Sequence, residues 1–184
     1  MTRMTLTGRM VALLLAITVA GSSAGGGLAA QDRPGGTVSL LAGTYEYVYE
    51  YNTPTLIENQ YIVLEVADGG LRGWYYGTTD DFDMGREGYL PGFFVATMED
   101  LSVVGESLAF TLRVSSEECF SKPVALEYRD PGQLPTDEYQ RWIQTIPMEP
   151  RAYRGTITPD RIEMSVDGRP RSFSKIPDGE ERIT

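Results

Sequence analysis

The chain has 184 residues, with 16 Lys and Arg against 26 Asp and Glu, no histidine and one cysteine. That length suits one ordinary domain, and the missing histidine excludes imidazole-activated nucleophiles and His-ligated zinc or haem. A single cysteine excludes an intrachain disulfide, a cysteine-built zinc site and a dithiol redox motif.

Residues 2–9 carry Arg3 and Arg9 and no acid, residues 10–20 form an apolar run, and GSSAGGGLAA follows. A charged start, a short apolar middle and a small-residue end are the parts of a secretory signal peptide. The run is shorter than the ~20 residues that span a bilayer core. We therefore expect residues 1–30 to be a leader cut after Ala29 or Ala30, and residues 31–184 to be one secreted or periplasmic domain. Removing the leader takes away two cations and no acid, so the remaining body is strongly acidic. Such a surface repels phosphate backbones and anionic headgroups, so no nucleic acid and no membrane partner is expected after cleavage. Cys119 is expected to be buried, the usual place of a free cysteine.

The body reads as strands of period-2 alternation. Residues 44–52 (TYEYVYEYN) place Tyr45, Tyr47, Tyr49 and Tyr51 on one face. Residues 58–78 read as a hairpin around Ala67-Asp68-Gly69-Gly70, with Ile62, Leu64 and Val66 on the first arm's inner face. Its second arm sets Leu71, Gly73, Tyr75 and Gly77 against Arg72, Trp74 and Tyr76. Further strands are read over 92–99, 101–104, 108–114, 123–128, 152–157, 161–166 and 171–176. In 136–145, Tyr139, Trp142, Ile143 and Ile146 fall at helical spacing behind Pro135 and Thr136, and the pattern predicts one short amphipathic helix. Residues 31–38 and 177–184 are expected to be loose ends.

Short strands, Gly/Pro turns and one helix define an all-β class: an antiparallel up-and-down barrel of about eight or nine strands, with a β-sandwich as the alternative. Closing the sheet removes exposed edges, which favours the barrel. Gly43-Thr44-Tyr45 at the first strand resembles the G-x-W start of lipocalin-like (calycin) barrels, with Tyr45 where that family has Trp. The predicted helix departs from the family by preceding the last three strands. The resemblance implies a cup for a small apolar ligand, with Tyr45 packing its floor.

The tyrosine stripe is the leading site candidate. If it faces inward, Tyr47 and Tyr49, joined by Tyr75 beside Gly73 and Gly77, line a space of mixed polarity suited to a ring-bearing ligand. The same tyrosines are also ordinary strand formers and half-buried fillers. The loop 80–87 holds Asp80, Asp81, Asp83 and Glu87. Its spacing does not complete an EF-hand, so we read an acidic loop and expect no metal. Glu46 and Glu50 share a strand face at roughly 13 Å, too far apart for either glycosidase geometry. Phosphate-cradling glycine motifs and the nucleophile elbow are absent, so no catalytic residue and no cofactor is expected.

The sequence thus reads as a non-enzymatic barrel that binds a small apolar or aromatic ligand. The alternatives are a carbohydrate-active hydrolase using paired carboxylates, and a module that binds or inhibits another protein.

Overall fold

The computed structural model describes residues 34–81, 91–142, 149–166 and 168–177. Among these, nine strands form one antiparallel sheet: β1 Gly43–Tyr47, β2 Gln60–Ala67, β3 Gly70–Thr78, β4 Phe93–Thr97, β5 Glu99–Val104, β6 Ser107–Leu112, β7 Arg151–Thr158, β8 Arg161–Val166 and β9 Arg169–Lys175. A helix, α1, spans Pro34–Leu41 ahead of β1. The order across the sheet is β4-β3-β2-β1-β9-β8-β7-β6-β5. The two strands at its ends, β4 and β5, are consecutive in the chain with only Met98 between them. The Met98 N–H donates to Gly73 O at 2.9 Å, carrying the β3–β4 pairing up to the break. One segment therefore serves both edges, and the sheet curls into a nearly closed up-and-down barrel, the architecture that the alternation predicts.

Local chemistry explains the tight turns. Asp68 and Gly69, between β2 and β3, both have positive φ, 49° and 80°. That is the type I′ geometry whose twist suits a two-residue hairpin, and Asp-Gly is among its preferred pairs. Inside the barrel, alternate residues of the strands meet: Tyr45, Ile62, Leu64, Tyr75, Phe94, Phe110, Tyr153, Ile162 and Phe173 belong to one buried cluster, against which Leu101 and Val103 of β5 pack. Tyr75 stacks on Phe94 and on Tyr153, each at 6.1 Å between ring centroids, and Phe110 stacks on Tyr153 at 5.2 Å. At this level the interior is filled by rings.

A second cluster lies outside the barrel. Tyr61, Val63, Trp74, Tyr76 and Val95 point outward from β2, β3 and β4, and Phe120, Val124, Leu134 and Tyr139 cover them. The long β6–β7 connection thus folds back over the wall. It pairs with β4 through Phe93 and Phe120, which exchange both backbone bonds at 2.8 Å. Cys119, on the same connection, is buried as expected, but against the inner core.

Four local expectations are corrected. Residues 136–142 are not helical: Glu138 and Tyr139 N–H both return to Pro135 O in a single turn, after which Arg141 pairs with Phe120. Tyr139 joins the outer cluster while Trp142 packs on the barrel core, so residues at helical spacing serve different layers. Tertiary pairing overrides a pattern that local spacing satisfies. The remainder of that predicted helix, 143–148, lies outside the described residues. Residues 123–128 are not a strand but a turn, with Tyr128 N–H donating to Ala125 O at 3.1 Å. The predicted loose segment 31–38 instead contains most of α1, the one α-helix among the described residues. Finally, β1 stops at Tyr47 rather than running to residue 52.

Candidate functional site

The two ends of the barrel differ. At one end α1 closes the wall: Leu41 enters the core, Tyr45 OH donates to Leu41 O at 2.9 Å, and Lys175 Nζ donates to Leu40 O at 2.9 Å. The opposite end receives the long connections 48–59, 79–92 and 113–150. Function on β-barrels concentrates on such loops, held by the rigid wall.

Just inside the loop-bearing end lies a buried polar cluster. Tyr75 OH donates to Gln60 Oε1 at 2.6 Å, and Gln60 Nε2 donates to the Asp81 carboxylate at 3.1 Å. Arg171 Nη2 pairs with Asp81 Oδ1 at 2.7 Å, while its Nη1 donates to Gln60 Oε1. Arg151 Nη1 adds a bond to the Asp81 backbone carbonyl at 2.5 Å. The Asp81 side chain is 0% exposed and that of Arg171 is 12%. Burial pushes the Asp81 carboxyl above the usual aspartate range, and the charge of Arg171 with the bonds from Gln60, Arg171 and Tyr75 pulls it back. Burial, reinforced by the Asp81 charge, holds the Tyr75 phenol well above its ordinary value.

Local sequence builds this cluster. Asp81 ends a 3-10 turn over Thr79–Asp81 directly after β3. The turn is fastened by Thr79 N–H to Gly92 O at 2.8 Å and by Gly92 N–H to Thr79 Oγ1 at 2.9 Å. Gly77 makes the room: a Cβ there would lie 2.5 Å from Tyr75 Cε1, 2.8 Å from Phe94 Cζ and 3.1 Å from Asp81 Oδ2. Without a side chain at 77, the carboxylate can reach the Tyr75 hydroxyl, which donates to Asp81 Oδ2 at 3.2 Å.

The three tyrosines named as ligand candidates separate. Tyr75 sits inside the cluster. Tyr47 is half-buried above it, its ring 5.8 Å from Phe173 and 5.2 Å from the Arg171 guanidinium. Arg171 therefore joins Tyr47 to Tyr75. Tyr49 lies beyond the end of β1, with its N–H donating to Asn59 Oδ1 at 3.1 Å and its ring edge-on to Tyr51 at 5.5 Å. Asn52 and Asn59 hold this loop together, and Tyr51 is 68% exposed. Burial, then the charges of Glu58 and Asp80, raise the Tyr49 phenol above its ordinary value.

Gln60 and Arg171 were not singled out from the sequence, in which Asp81 reads only as part of a solvated acidic loop. Their signal is a polar residue in an inward row of apolar ones, Gln60 before Ile62 and Leu64, and Arg171 before Phe173. Of the acidic loop, Asp83 and Glu87 lie outside the described residues, and among the described residues no three metal-ligating side chains converge. The buried carboxylates Glu46 and Asp81 face opposite sides of the wall. Glu46 accepts from Asn59 Nδ2 and Tyr61 OH, each at 3.0 Å, on the outer face.

Compared with protein-family models, curated proteins and solved structures, the chain matches none.

Proposed function

We propose that this protein is an exported barrel that binds a small aromatic molecule at its loop-bearing end. The ring of the ligand lies against Tyr47, and a hydrogen-bonding group reaches toward Arg171. One observation carries the reading: the polar cluster of Gln60, Tyr75, Asp81 and Arg171 occupies the loop-bearing end of a barrel whose other end is apolar and capped by α1. Burying an ion pair gains little stability over an apolar core of the same volume, which makes a recognition role the more economical account of it. The stacked rings below fill the interior, so the seat is a shallow one at the rim.

The lipocalin-like reading is supported by the neighbour-to-neighbour strand order, by the β9–β1 closure, and by Tyr45 at the α1-capped end. Export is supported by the leader-like residues 1–30. N-terminal sequencing of protein recovered from the producing cell should begin at Ala30 or Gln31; a chain that keeps residues 10–20 overturns export.

The binding reading is tested with 1-anilinonaphthalene-8-sulfonate, an aromatic probe with an anionic head. Wild type should enhance its fluorescence saturably, and Tyr47→Ala should weaken that binding at least fivefold. Tyr47 is only half-buried, so the substitution should cost only about 1 kcal/mol of stability. Retained near-ultraviolet circular dichroism distinguishes a lost seat from a loosened fold. Equal binding by both proteins, or none by wild type, sinks the assignment.

A further inference from the structure

We infer that the wall between β1 and β9 is a strand-docking edge that accepts an extended, acid-bearing peptide from another protein. The β1–β9 seam pairs only Tyr45 with Lys175 and Glu46 with Ser174, with one more bond from Ile176 N–H to Thr44 O at 2.8 Å. Beyond Tyr47 the chain leaves the sheet, while β9 continues from residue 173 back to Arg169 paired with β8 alone. Ile176 N–H points to β1, and the strand alternates, so the N–H and C=O of Ser172 and the C=O of Pro170 face the gap. No described residue pairs with them. The exposed stretch 169–172 is roughly 13 Å long, and an open groove of about 550 Å³ runs beside it, lined by Tyr47, Val48, Pro170, Ser172 and Ser174 among others.

This fold already covers another unpaired strand edge with extended backbone. At the same end of the barrel, along the free edge of β4, Phe120 enters and exchanges both bonds with Phe93. No described segment of the chain does this for β9. The chemistry of the occupant follows from the rows of β9. Its inward row is Arg169, Arg171, Phe173 and Lys175; Arg171 is engaged by Asp81, and Lys175 lies against β1 and donates to Leu40 O, so Arg169 is the exposed cation of the free stretch. An added strand would lay an acidic side chain beside Arg169 at the open end of that row. Its other face would set branched apolar side chains against Val48 and Pro170. Main-chain bonds supply affinity in this mode and the alternate side chains supply selection.

The test uses fluorescein-labelled hexapeptides that alternate glutamate with valine, or lysine with valine. Wild type should bind the glutamate peptide saturably and the lysine peptide at least tenfold less well. Ser172→Pro removes the N–H offered to the peptide and should lower binding at least tenfold. Ser172→Ala keeps it and should bind within twofold of wild type. Pro170, two residues earlier in the same row, shows that this edge tolerates a missing donor, so Ser172→Pro should keep the wild-type urea midpoint. Should it unfold instead, hydrogen exchange decides: the Ser172 amide of wild type must become protected when the glutamate peptide binds. No saturable binding, equal binding of both peptides, equal binding by Ser172→Pro, or an unprotected Ser172 amide each overturns the proposal. So does a wild-type dimer that Ser172→Pro dissolves, which would assign the edge to a second copy of the chain.

Discussion

Arg171→Met is expected to destabilise the fold by about 3–5 kcal/mol, the usual penalty for removing one partner of a buried ion pair. The guanidinium is the cation on the Asp81 carboxylate, at 2.7 Å, and that carboxylate is fully enclosed. Gln60 and Tyr75 can still donate to it, but neither carries charge. The pH dependence has a definite sign. Burial already raises the folded-state Asp81 carboxyl above its unfolded value, and losing Arg171 raises it further. The folded variant then holds a proton that the unfolded chain releases. The stability tied to that proton is complete below the unfolded value near 4 and is lost as pH rises through the window up to the raised one. Urea midpoints should therefore show a larger deficit for Arg171→Met at pH 8 than at pH 5. Adding Asp81→Leu removes the stranded charge and should recover most of the loss, as replacements of whole buried pairs by apolar groups do. If the single variant costs no more than a surface change, ~0.5 kcal/mol, Arg171 and Asp81 do not pair in solution.

The elements legible in the sequence are those whose reasons are local. The β2–β3 hairpin shows itself through Asp68-Gly69 and two alternating arms, and β7–β8 through Thr158, Pro159 and Asp160 between alternating runs. What failed depends on distant partners. Trp74 and Tyr76 occupy the outward row of β3, where alternation predicts solvent, yet both are buried beneath the 120–139 segment. Val66 shares a row with Ile62 and Leu64 but is 53% exposed, because it stands at the end of the arm where the wall gives way to a turn. The row of tyrosines from 45 to 51 suggests one long strand, and side chains of Asn52 and Asn59 turn the chain away after Tyr47. Alternation identifies which face a residue would take, not how far the strand continues.

The candidate site was legible only in part for a related reason. Tyr47 and Tyr75 stand out as aromatic residues of inward rows, and they come together. Their link, Arg171, lies 96 positions from Tyr75 in sequence, and Asp81 belongs to a loop that reads as a solvated run of acids. Nothing in that loop distinguishes the acid that turns inward from those beside it. The distinguishing feature is Gly77, whose missing side chain admits the carboxylate, and that depends on the packing of Phe94 from the next strand.

Leu64→Asp is the second variant expected to have a large effect, and it tests the register on which the barrel rests. Leu64 is 1% exposed and lies at the α1-capped end of the interior. Its neighbours across both seams are glycines, Gly43 on β1 and Gly73 on β3. The leucine fills the space they leave: a Cβ at Gly73 would sit 2.9 Å from Leu64 Cδ2 and 2.5 Å from Met98 Sδ. An aspartate there exchanges apolar packing for a carboxylate among glycine backbone, Met98 and Leu101. The cost should be about 3–5 kcal/mol, from lost burial and from a charge without a designed partner. Lys175 is the cation near that end, and its Nζ is held by Leu40 O and lies over the Tyr45 ring at 5.6 Å. Drawing it to residue 64 would give up both contacts and loosen the α1 cap. Leu64→Asn separates these outcomes. If Lys175 does not reach the new carboxylate, the asparagine variant should be the more stable of the two at pH 7, because it buries no charge. If the aspartate variant is the more stable, Lys175 has been recruited. A midpoint for Leu64→Asp within fitting error of wild type would mean that residue 64 faces solvent, and the β1–β2–β3 register would be off by one.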